Sequence, residues 1–331
     1  MAVTAQFNTD IFMAFEDIRT NLPLIDVAHD NRHVLAAGAH SREGVVYMLS
    51  LPDEGIGGFI YPWINADGTA SAATCMFGPG VGDPIQERFE AQPVSAEMDF
   101  YDWKVEGLTL RIDEPLVSAE VSFKGKRVNI DYRFDAFHPP YAFSSHKDGC
   151  PRYYADDRTE QHGHIRGVLE IDGRSIPFDT VGQRDHAWGN RVWGLNQHYK
   201  WFHATTRTSA VHFFEMQSFG AVHIRGFVCK DQVMSQIVSV EHEYIFDDTM
   251  HHLAINVIAR DELGRSTSIK CKTFAKFQFD PDPMVLLNES ATIVEIDGVK
   301  GVGWCEFCWN RGYLEFARQH VQSFQPYRFS S

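Results

Sequence analysis

The stretch Val117-Ser-Ala-Glu-Val-Ser-Phe-Lys-Gly-Lys-Arg-Val-Asn-Ile-Asp-Tyr-Arg-Phe134 alternates apolar and polar side chains on both sides of the polar turn Lys-Gly-Lys. The alternating apolar residues are Val117, Ala119, Val121, Phe123, Val128, Ile130, Tyr132 and Phe134. A period of two residues is that of a β-strand with one buried face. The stretch therefore predicts an antiparallel hairpin.

The same alternation around a short turn recurs through the rest of the chain. Further predicted hairpins begin at Ile165, Phe202, Val222, Leu253 and Thr292. The sequence Glu-Ile-Asp-Gly occurs at 170–173 and again at 295–298, and Asp-Gly favours tight hairpin turns. Six or more hairpins with short turns predict an antiparallel barrel or a pair of sandwiches. The repeated motif fits two similar β-units in tandem.

The length of 331 residues exceeds that of a usual single domain. We place a boundary in the glycine-rich stretch after Trp188, which predicts an N-terminal domain at 1–190 and a C-terminal domain at 191–331. Residues Asn8 to Leu22 carry apolar side chains at roughly helical spacing before Pro23. The expected fold class is all-β, with two tandem antiparallel β-barrel or sandwich domains and a short N-terminal helix.

Composition and charge exclude several classes of partner. Hydrophobic residues make up 44% of the chain and charged residues 22%, as in ordinary globular proteins. The formal charge of −14 argues against nucleic acid and against an anionic membrane surface. No stretch approaches the ~18 uninterrupted apolar residues of a spanning helix, and no secretory signal is apparent. The expected location is cytoplasmic.

Six cysteines are scattered without the spacing of a disulfide framework. Cys305 and Cys308 form a CxxC motif, but the surrounding Gly-Trp-Cys-Glu-Phe-Cys-Trp alternates like a strand. Residues three apart on a strand face opposite sides, so we expect neither a shared metal nor a disulfide there.

The most unusual stretch is Gly182-Gln-Arg-Asp-His-Ala-Trp-Gly-Asn-Arg191, which mixes charges with aromatic residues between glycines. Polar groups among large aromatics suit a pocket wall, where burial would raise the pKa of Asp185 and keep it protonated for acid catalysis. The alternative is a buried ion pair between an arginine and Asp185. His186 would deliver or accept the proton of water, or serve as a buried structural histidine.

Several segments resemble the lipocalin-like hydratase and cyclase superfamily, which includes carotenoid 1,2-hydratase, kievitone hydratase, tocopherol-cyclase-like and AttH-like proteins. The resemblance rests on Glu160-Gln-His-Gly-His-Ile-Arg-Gly167, Ile171-Asp-Gly173, the 182–191 block, Phe137-His-Pro-Pro-Tyr141 and the late Asp297-Gly-x-x-Gly-x-Gly-x-x-Glu306. It covers most of the chain from about residue 100 onward. Where the family more commonly has serine, this chain has Ala187, so any role of a hydroxyl group there is absent.

The resemblance implies two lipocalin-like β-barrel units around a pocket for a hydrophobic, often isoprenoid-derived substrate. It also implies chemistry without a redox or metal cofactor. Family hydratases use an Asp of this block as proton donor to an alkene, and the matching position here is Asp185. Related members include dehydratases, cyclases and pericyclases, so the fold alone does not define the reaction.

Aromatic residues are the candidates for binding such a substrate. Protonating a trisubstituted alkene gives a tertiary carbocation, which aromatic faces stabilise without trapping it, at roughly 0.5–2 kcal/mol per contact. The expected substrate-binding residues are Trp188, Trp193, Trp201, Trp304, Tyr141, His164, His203 and Glu306. For each tryptophan, ordinary core packing is the alternative.

A metal site is the weaker interpretation of the histidines. His162 and His164 share a strand face and could bind a metal with Glu215 or Glu306, but no third ligand stands at a recognisable spacing. The common hydrolase, zinc-protease and nucleotide-binding motifs are missing from the sequence. We therefore expect no cofactor and no metal.

The favoured hypothesis is a cofactor-independent lyase, a hydratase or dehydratase, or a cyclase, that acts on a hydrophobic, isoprenoid-like alkene with Asp185 as general acid. A non-catalytic lipocalin-like carrier of a lipid or terpenoid is the first alternative, and a pericyclase or isomerase is another. The surroundings of Asp185 separate them. A carboxyl that faces the pocket without an arginine favours catalysis, whereas an ion pair favours the carrier.

Overall fold

The computed structural model describes residues 15–324 and is built almost entirely of strands, with 63% strand and 7% helix. The prediction of an all-β protein is confirmed. None of the helices in the described range is long and apolar enough to span a membrane.

The described residues form 21 strands, most of them connected by short turns. In chain order they are β1 (Arg19–Thr20), β2 (Ser41–Leu51), β3 (Ile56–Asn65), β4 (Thr69–Gly78), β5 (Gly82–Arg88), β6 (Gln92–Pro93), β7 (Trp103–Val105), β8 (Leu108–Glu114), β9 (Ser118–Lys124), β10 (Val128–Ala136), β11 (Tyr141–Ala142), β12 (Asp157–Ile171), β13 (Arg174–Asn190), β14 (His198–Thr205), β15 (Ala210–Ser218), β16 (Ala221–Lys230), β17 (Val233–Phe246), β18 (His252–Asp261), β19 (Ser266–Asp282), β20 (Val285–Ile296) and β21 (Val299–Asn310).

Helical structure is short. Two α-helices follow the last strand, α1 (Arg311–Ala317) and α2 (Val321–Phe324). Single 3₁₀ turns occur at Val27–Asp30, Pro52–Glu54, Phe143–Ser145 and Trp193–Leu195.

The chain divides into two units. The first unit comprises Met1–Leu49, Gly58–Met76 and Pro84–Arg191, and the second comprises Ser50–Gly57, Phe77–Asp83 and Val192–Ser331. Two short early segments therefore belong to the second unit. The division into domains at 1–190 and 191–331 stays a prediction.

The first unit is built on an open, curled sheet. Its strands follow the order β5-β4-β3-β2-β13-β12-β10-β9-β8-β7, with β6 beside β4 and β11 beside β12. The predicted hairpin of β9 and β10 is present, and its register pairs Phe123 with Ile130 and Val121 with Tyr132. These four side chains are all buried, as the alternation predicted.

The second unit contains a closed barrel of eight strands. Their order is β17-β16-β15-β14-β21-β20-β19-β18, and β18 pairs back onto β17. Large apolar side chains fill its core, among them Phe202, Phe213, Val228, Ile255, Phe307 and Trp309. Leu314 of α1 packs into the same core.

The two Asp-Gly turns close hairpins as predicted. Asp172 and Gly173 have φ of 50° and 83°, and Asp297 and Gly298 have φ of 48° and 88°. Positive φ at both central residues is typical of the type I′ turn, whose twist matches that of the flanking strands. The turns join β12 to β13 and β20 to β21.

Residues 8–14, about half of the predicted N-terminal helix at 8–22, lie outside the described residues. From Phe15 onward, the chain forms a turn and then the two-residue strand β1, so the described part of that segment is not helical. Phe15 is buried in a small cluster with Val27 and Leu116.

Candidate functional site

The 182–191 block forms the second half of β13, between β12 and β2. Asp185 is paired with Glu160 and Val46, whereas His186 is paired with Thr159 and Val45. Successive residues of a strand point to opposite faces of the sheet. The two residues predicted to be catalytic are therefore adjacent in sequence but lie on opposite faces.

Asp185 lies beside an arginine. Nη2 of Arg158 is 2.9 Å from Oδ2 of Asp185, and Nε of Arg158 contacts Oε1 of Glu160. Arg158 also donates through Nη1 to the hydroxyl of Tyr154 at 2.8 Å. Burial lowers the pKa of Arg158, but the charges of Asp185 and Glu160 outweigh it and raise that pKa well above its usual value. This is the ion-pair arrangement that was expected to favour a carrier over a catalytic acid at Asp185.

Tyr141 and His164 share a face of the first sheet with Asp185. Tyr141 of β11 pairs with Glu160, and His164 lies on β12 four residues beyond Glu160. Tyr141 is buried, while His164 is half-buried with its ring 5.7 Å from that of Phe137. The structure therefore brings these two predicted residues to one side of the sheet.

The other face of β13 carries a cluster of histidines around a glutamate. Nε2 of His186 is 2.7 Å from Oε1 of Glu43, and Nδ1 of His33 is 2.6 Å from the same oxygen. The ring of Trp188 stacks on that of His33 at 3.7 Å. The sequence analysis missed His33 and Glu43, because their spacing to His186 follows no known motif.

Among the described residues, no group of three possible metal ligands includes His162 or His164. His162 has its Nδ1 3.2 Å from Nε2 of His138, and its backbone N–H donates to that same nitrogen. Glu215, proposed as a partner, contacts Lys200 and His242.

Four predicted substrate-binding residues share one face of the second unit. The β14–β21 register pairs Trp201 with Glu306 and His203 with Trp304. Trp201, His203 and Trp304 are buried, and Glu306 is half-buried. Phe77 packs its edge against Trp304 at 5.5 Å. The rings of Trp201 and Trp304 therefore lie on the same face as the half-buried carboxyl of Glu306.

Trp193 lies apart from this face. It begins the 3₁₀ turn before β14 and is half-buried, with its ring 6.5 Å from that of Tyr199.

A second carboxyl lies next to Glu306. The β20–β21 register pairs Glu289 with Glu306, and we call these two residues the carboxyl pair. Nε1 of Trp304 donates to Oε2 of Glu289 at 2.7 Å, and the hydroxyl of Tyr199 donates to Oε1 of Glu306. Glu289 is only 3% exposed.

The surroundings of Glu289 favour its protonated form. Burial raises the pKa of Glu289 well above its usual value, and the charge of Glu306 and a hydrogen bond to it raise it further, against the smaller effect of Trp304. Two carboxylates in contact cannot both ionise easily, so one stays protonated. Glu289 was missed by sequence reasoning because Leu287-Asn-Glu-Ser-Ala291 reads as an ordinary strand.

The barrel interior holds a different polar network. Lys200 contacts Oε1 of Glu215, and Nε2 of His242 is 2.8 Å from Oε2 of Glu215. The hydroxyl of Tyr244 contacts the His242 ring. Burial raises the pKa of Glu215, but the hydrogen bond with His242 and the charge of Lys200 outweigh it and lower it strongly. Glu215 is therefore an ionised partner and not a proton donor.

The sequence of this chain matches that of one known protein family. Residues 26–311 match the sequence profile described as a domain of unknown function, DUF7064. The chain belongs to that family. A search of curated proteins finds no significant match.

Solved structures with the same fold include three relevant proteins. An AttH-like protein from Nitrosomonas europaea is 13% identical, with a TM-score of 0.59 over 82% of this chain and 93% of that one. CghA is 11% identical, with a TM-score of 0.60 over 82% and 88%. Kievitone hydratase from Nectria haematococca is 10% identical, with a TM-score of 0.58 over 88% and 96%. At these identities the likeness establishes the fold alone, and the predicted lipocalin-like fold is confirmed.

Proposed function

We propose that this protein is an acid–base enzyme of the hydratase, dehydratase or cyclase kind, acting on a hydrophobic small molecule. The observation that carries the proposal is the carboxyl pair, which holds a proton beside Trp201 and Trp304 on one face of the second unit. Protonation of an alkene requires an acid that gives the proton and a surrounding that stabilises the cation, and a protonated carboxyl among aromatic rings provides both.

The two members of the carboxyl pair have different surroundings. Glu289 is almost wholly buried and has the raised pKa, whereas Glu306 is half-buried and accepts a hydrogen bond from Tyr199. Because the two carboxyls are hydrogen-bonded, a proton held by Glu289 passes to the substrate through Glu306, the more open member. After protonation the pair carries an additional negative charge that stabilises a nearby cation.

The aromatic rings supply the second part of the chemistry. A carbocation formed by protonation lies near Trp201 and Trp304, whose faces stabilise a positive charge by roughly 0.5–2 kcal/mol each. His203, with its ring 4.5 Å from that of Trp201, is placed to take the proton of the attacking water in a hydration, or to give it back in a dehydration. Attack of a second double bond of the substrate on the cation closes a ring, and loss of a proton from the resulting cation then gives the cyclase outcome.

Asp185 receives a different role in this proposal. Its contact with Arg158 favours the carboxylate form, because a neighbouring positive charge stabilises the ionised acid. We therefore place the proton donor at the carboxyl pair and assign Asp185 to holding β12 and β13 together.

The names of the structural neighbours agree with this class. One is a hydratase of kievitone, and CghA has been crystallised with Sch210972. Each is similar to this chain in fold, and a small organic molecule is named with each. By analogy we propose a hydrophobic, isoprenoid-like substrate here.

Turnover of simple alkenes in D₂O tests the proposal. Citronellol and geraniol, which carry trisubstituted double bonds, are incubated with the protein, and water addition and deuterium incorporation are followed by mass spectrometry. Native mass spectrometry of gently purified protein adds any retained ligand to the panel. We expect Glu289→Gln and Glu306→Gln to reduce turnover by roughly 10²–10⁴-fold, the range of a general acid.

Glu295→Gln is the matched control, because Glu295 lies on the same strand and is paired with Lys270 at the long distance of 3.9 Å. It should retain full turnover. Full activity of Glu289→Gln would remove the carboxyl pair from the mechanism. Tight binding of the panel by the unsubstituted protein without any turnover would instead favour the carrier.

A further inference from the structure

We infer that the first unit holds a transition-metal site of the zinc type, built from His33, Glu43 and His186. The three side chains converge on one point, and one donor atom from each lies within 4.8 Å of the others. The inference concerns another part of the chain and does not depend on the proposed function of the carboxyl pair.

The distances are close to those of a coordinated ion. Nδ1 of His33 and Nε2 of His186 lie 2.6 and 2.7 Å from the same oxygen of Glu43. Tetrahedral zinc with bonds of about 2.0–2.2 Å separates its ligand atoms by roughly 3.3–3.5 Å. Exchanging the two hydrogen bonds for one ion therefore requires each donor to move by less than about 1 Å.

The backbone holds two of the three ligands firmly. Glu43 lies on β2 and His186 on the neighbouring β13, and their side chains are 0% and 3% exposed. The third ligand, His33, lies in the loop that follows the Val27–Asp30 turn, and its backbone N–H donates to Oε2 of Glu43 at 2.9 Å. The His33 side chain is 16% exposed, which leaves a route from solvent.

Neighbouring rings restrain the plane of His33. Nδ1 of His29 lies 2.9 Å from Nε2 of His33, so the far nitrogen of His33 has a hydrogen-bond partner while Nδ1 faces Glu43. Histidine ligands of metals usually have such a partner at the other ring nitrogen. Trp188 stacks on His33 with an interplanar angle of 8° and restrains the ring.

The donor set defines the class of metal. Two imidazoles and one carboxylate suit Zn²⁺ and its neighbours Co²⁺ and Ni²⁺, whereas Mg²⁺ and Ca²⁺ prefer oxygen donors alone. Three protein ligands leave a fourth tetrahedral position for water, as in catalytic zinc sites. We name this set the His33 site.

Metal titration of the stripped protein tests the inference. The full chain is treated with a chelator, dialysed, and titrated with ZnCl₂ by calorimetry and with CoCl₂ by visible absorption. We expect one equivalent of Zn²⁺ to bind and a tetrahedral Co²⁺ spectrum.

Substitutions assign the site. Glu43→Gln, His186→Asn and His33→Asn should each weaken Zn²⁺ binding by at least about 100-fold, and His29→Asn by about 10–100-fold, the range for an outer hydrogen-bond partner. His40→Asn is the control, because His40 is an exposed histidine of the same unit. Its affinity should be unchanged.

Folding of each variant is checked by circular dichroism. His33→Asn is decisive, because its partly exposed loop position threatens the fold least. Two results overturn the inference. One is the absence of stoichiometric Zn²⁺ binding to the unsubstituted chain, which would leave a metal-free hydrogen-bonded cluster. The other is unchanged Zn²⁺ affinity in folded His33→Asn.

Discussion

Arg158 forms ion pairs with two carboxylates, Glu160 and Asp185. Loss of the arginine should therefore lower the free energy of unfolding more than loss of one carboxylate. Asp185→Asn leaves Arg158 with Glu160 and Tyr154, and we expect the free energy of unfolding to fall by about 1–3 kcal/mol. Arg158→Met removes the shared cation from two buried carboxylates and should lower it by about 3–5 kcal/mol.

Urea unfolding of the two variants measures this order. Arg127→Met is a suitable control, because its ion pair with Asp172 is about half exposed and should contribute 0–1 kcal/mol. A larger loss for Asp185→Asn than for Arg158→Met would contradict the shared ion pair. Asp185→Asn with lost turnover but unchanged stability would return Asp185 to the mechanism.

Part of the candidate site could be predicted from residue types, whereas the rest could be recognised only from contacts in the structure. Trp201 and Trp304 were predicted to bind substrate because aromatic faces stabilise a cation, and that role stays a prediction. The β14–β21 register brings both to one face with His203 and Glu306. Glu289 became recognisable only through the register that sets it opposite Glu306. A raised pKa depends on such long-range pairing, which no local pattern reveals.

At the scale of elements, the close approach of β14 and β21 depends on glycine. A Cβ on Gly303 would lie 2.3 Å from the backbone oxygen of His203 and 2.7 Å from Cγ1 of Val294. We expect Gly303→Ala to lower the free energy of unfolding by about 1–3 kcal/mol, since the strands must separate to admit the methyl group.

Gly312→Ala is the matched substitution in open space. Its Cβ would meet only Oδ1 of Asn310, at 3.6 Å, within α1, and alanine is the better helix former. It should raise the free energy of unfolding by up to about 1 kcal/mol. Thermal unfolding distinguishes the two, and equal effects would refute the steric argument.

Hairpins were the most predictable elements, because alternation and Asp-Gly turns are local properties. Strand pairing across long separations was not predictable in this way. β13 pairs with β2 on one side and β12 on the other, and this pairing puts His186 beside Glu43 and Asp185 beside Arg158. The adjacent residues Asp185 and His186 therefore have unrelated surroundings.

The buried titratable groups of the protein predict that the free energy of unfolding decreases both below and above neutral pH. Burial lowers the pKa of His138 to about 4 and that of His252 to about 3. The unfolded chain then binds more protons below about pH 6.5, so stability is lost as the pH falls from there. The slope is roughly 1.4 kcal/mol per pH unit for each group.

Glu289 acts in the opposite direction. In the unfolded chain, Glu289 has its ordinary pKa of 4.5 and releases its proton above that pH. In the folded chain its pKa is raised, so the proton stays bound to a higher pH. Stability from this group is therefore full below that value and decreases as the pH rises toward the raised pKa. Urea unfolding from pH 4 to 9 should show a maximum near pH 6–7. Glu289→Gln should remove this decrease, so that the rise in stability between pH 4.5 and 6.5 becomes steeper and the fall above pH 6.5 becomes shallower, and unchanged slopes would refute the raised pKa.

Closure of the second sheet has a consequence for self-association. The barrel of the second unit closes through the pairing of β17 with β18, whereas the sheet of the first unit ends at β5 and β7. Pro84 removes one N–H from β5, and β7 is only three residues long. Both features discourage the addition of a foreign strand. Resistance of the first unit to aggregation therefore depends on Pro84 at the edge strand β5 and on the short length of the edge strand β7.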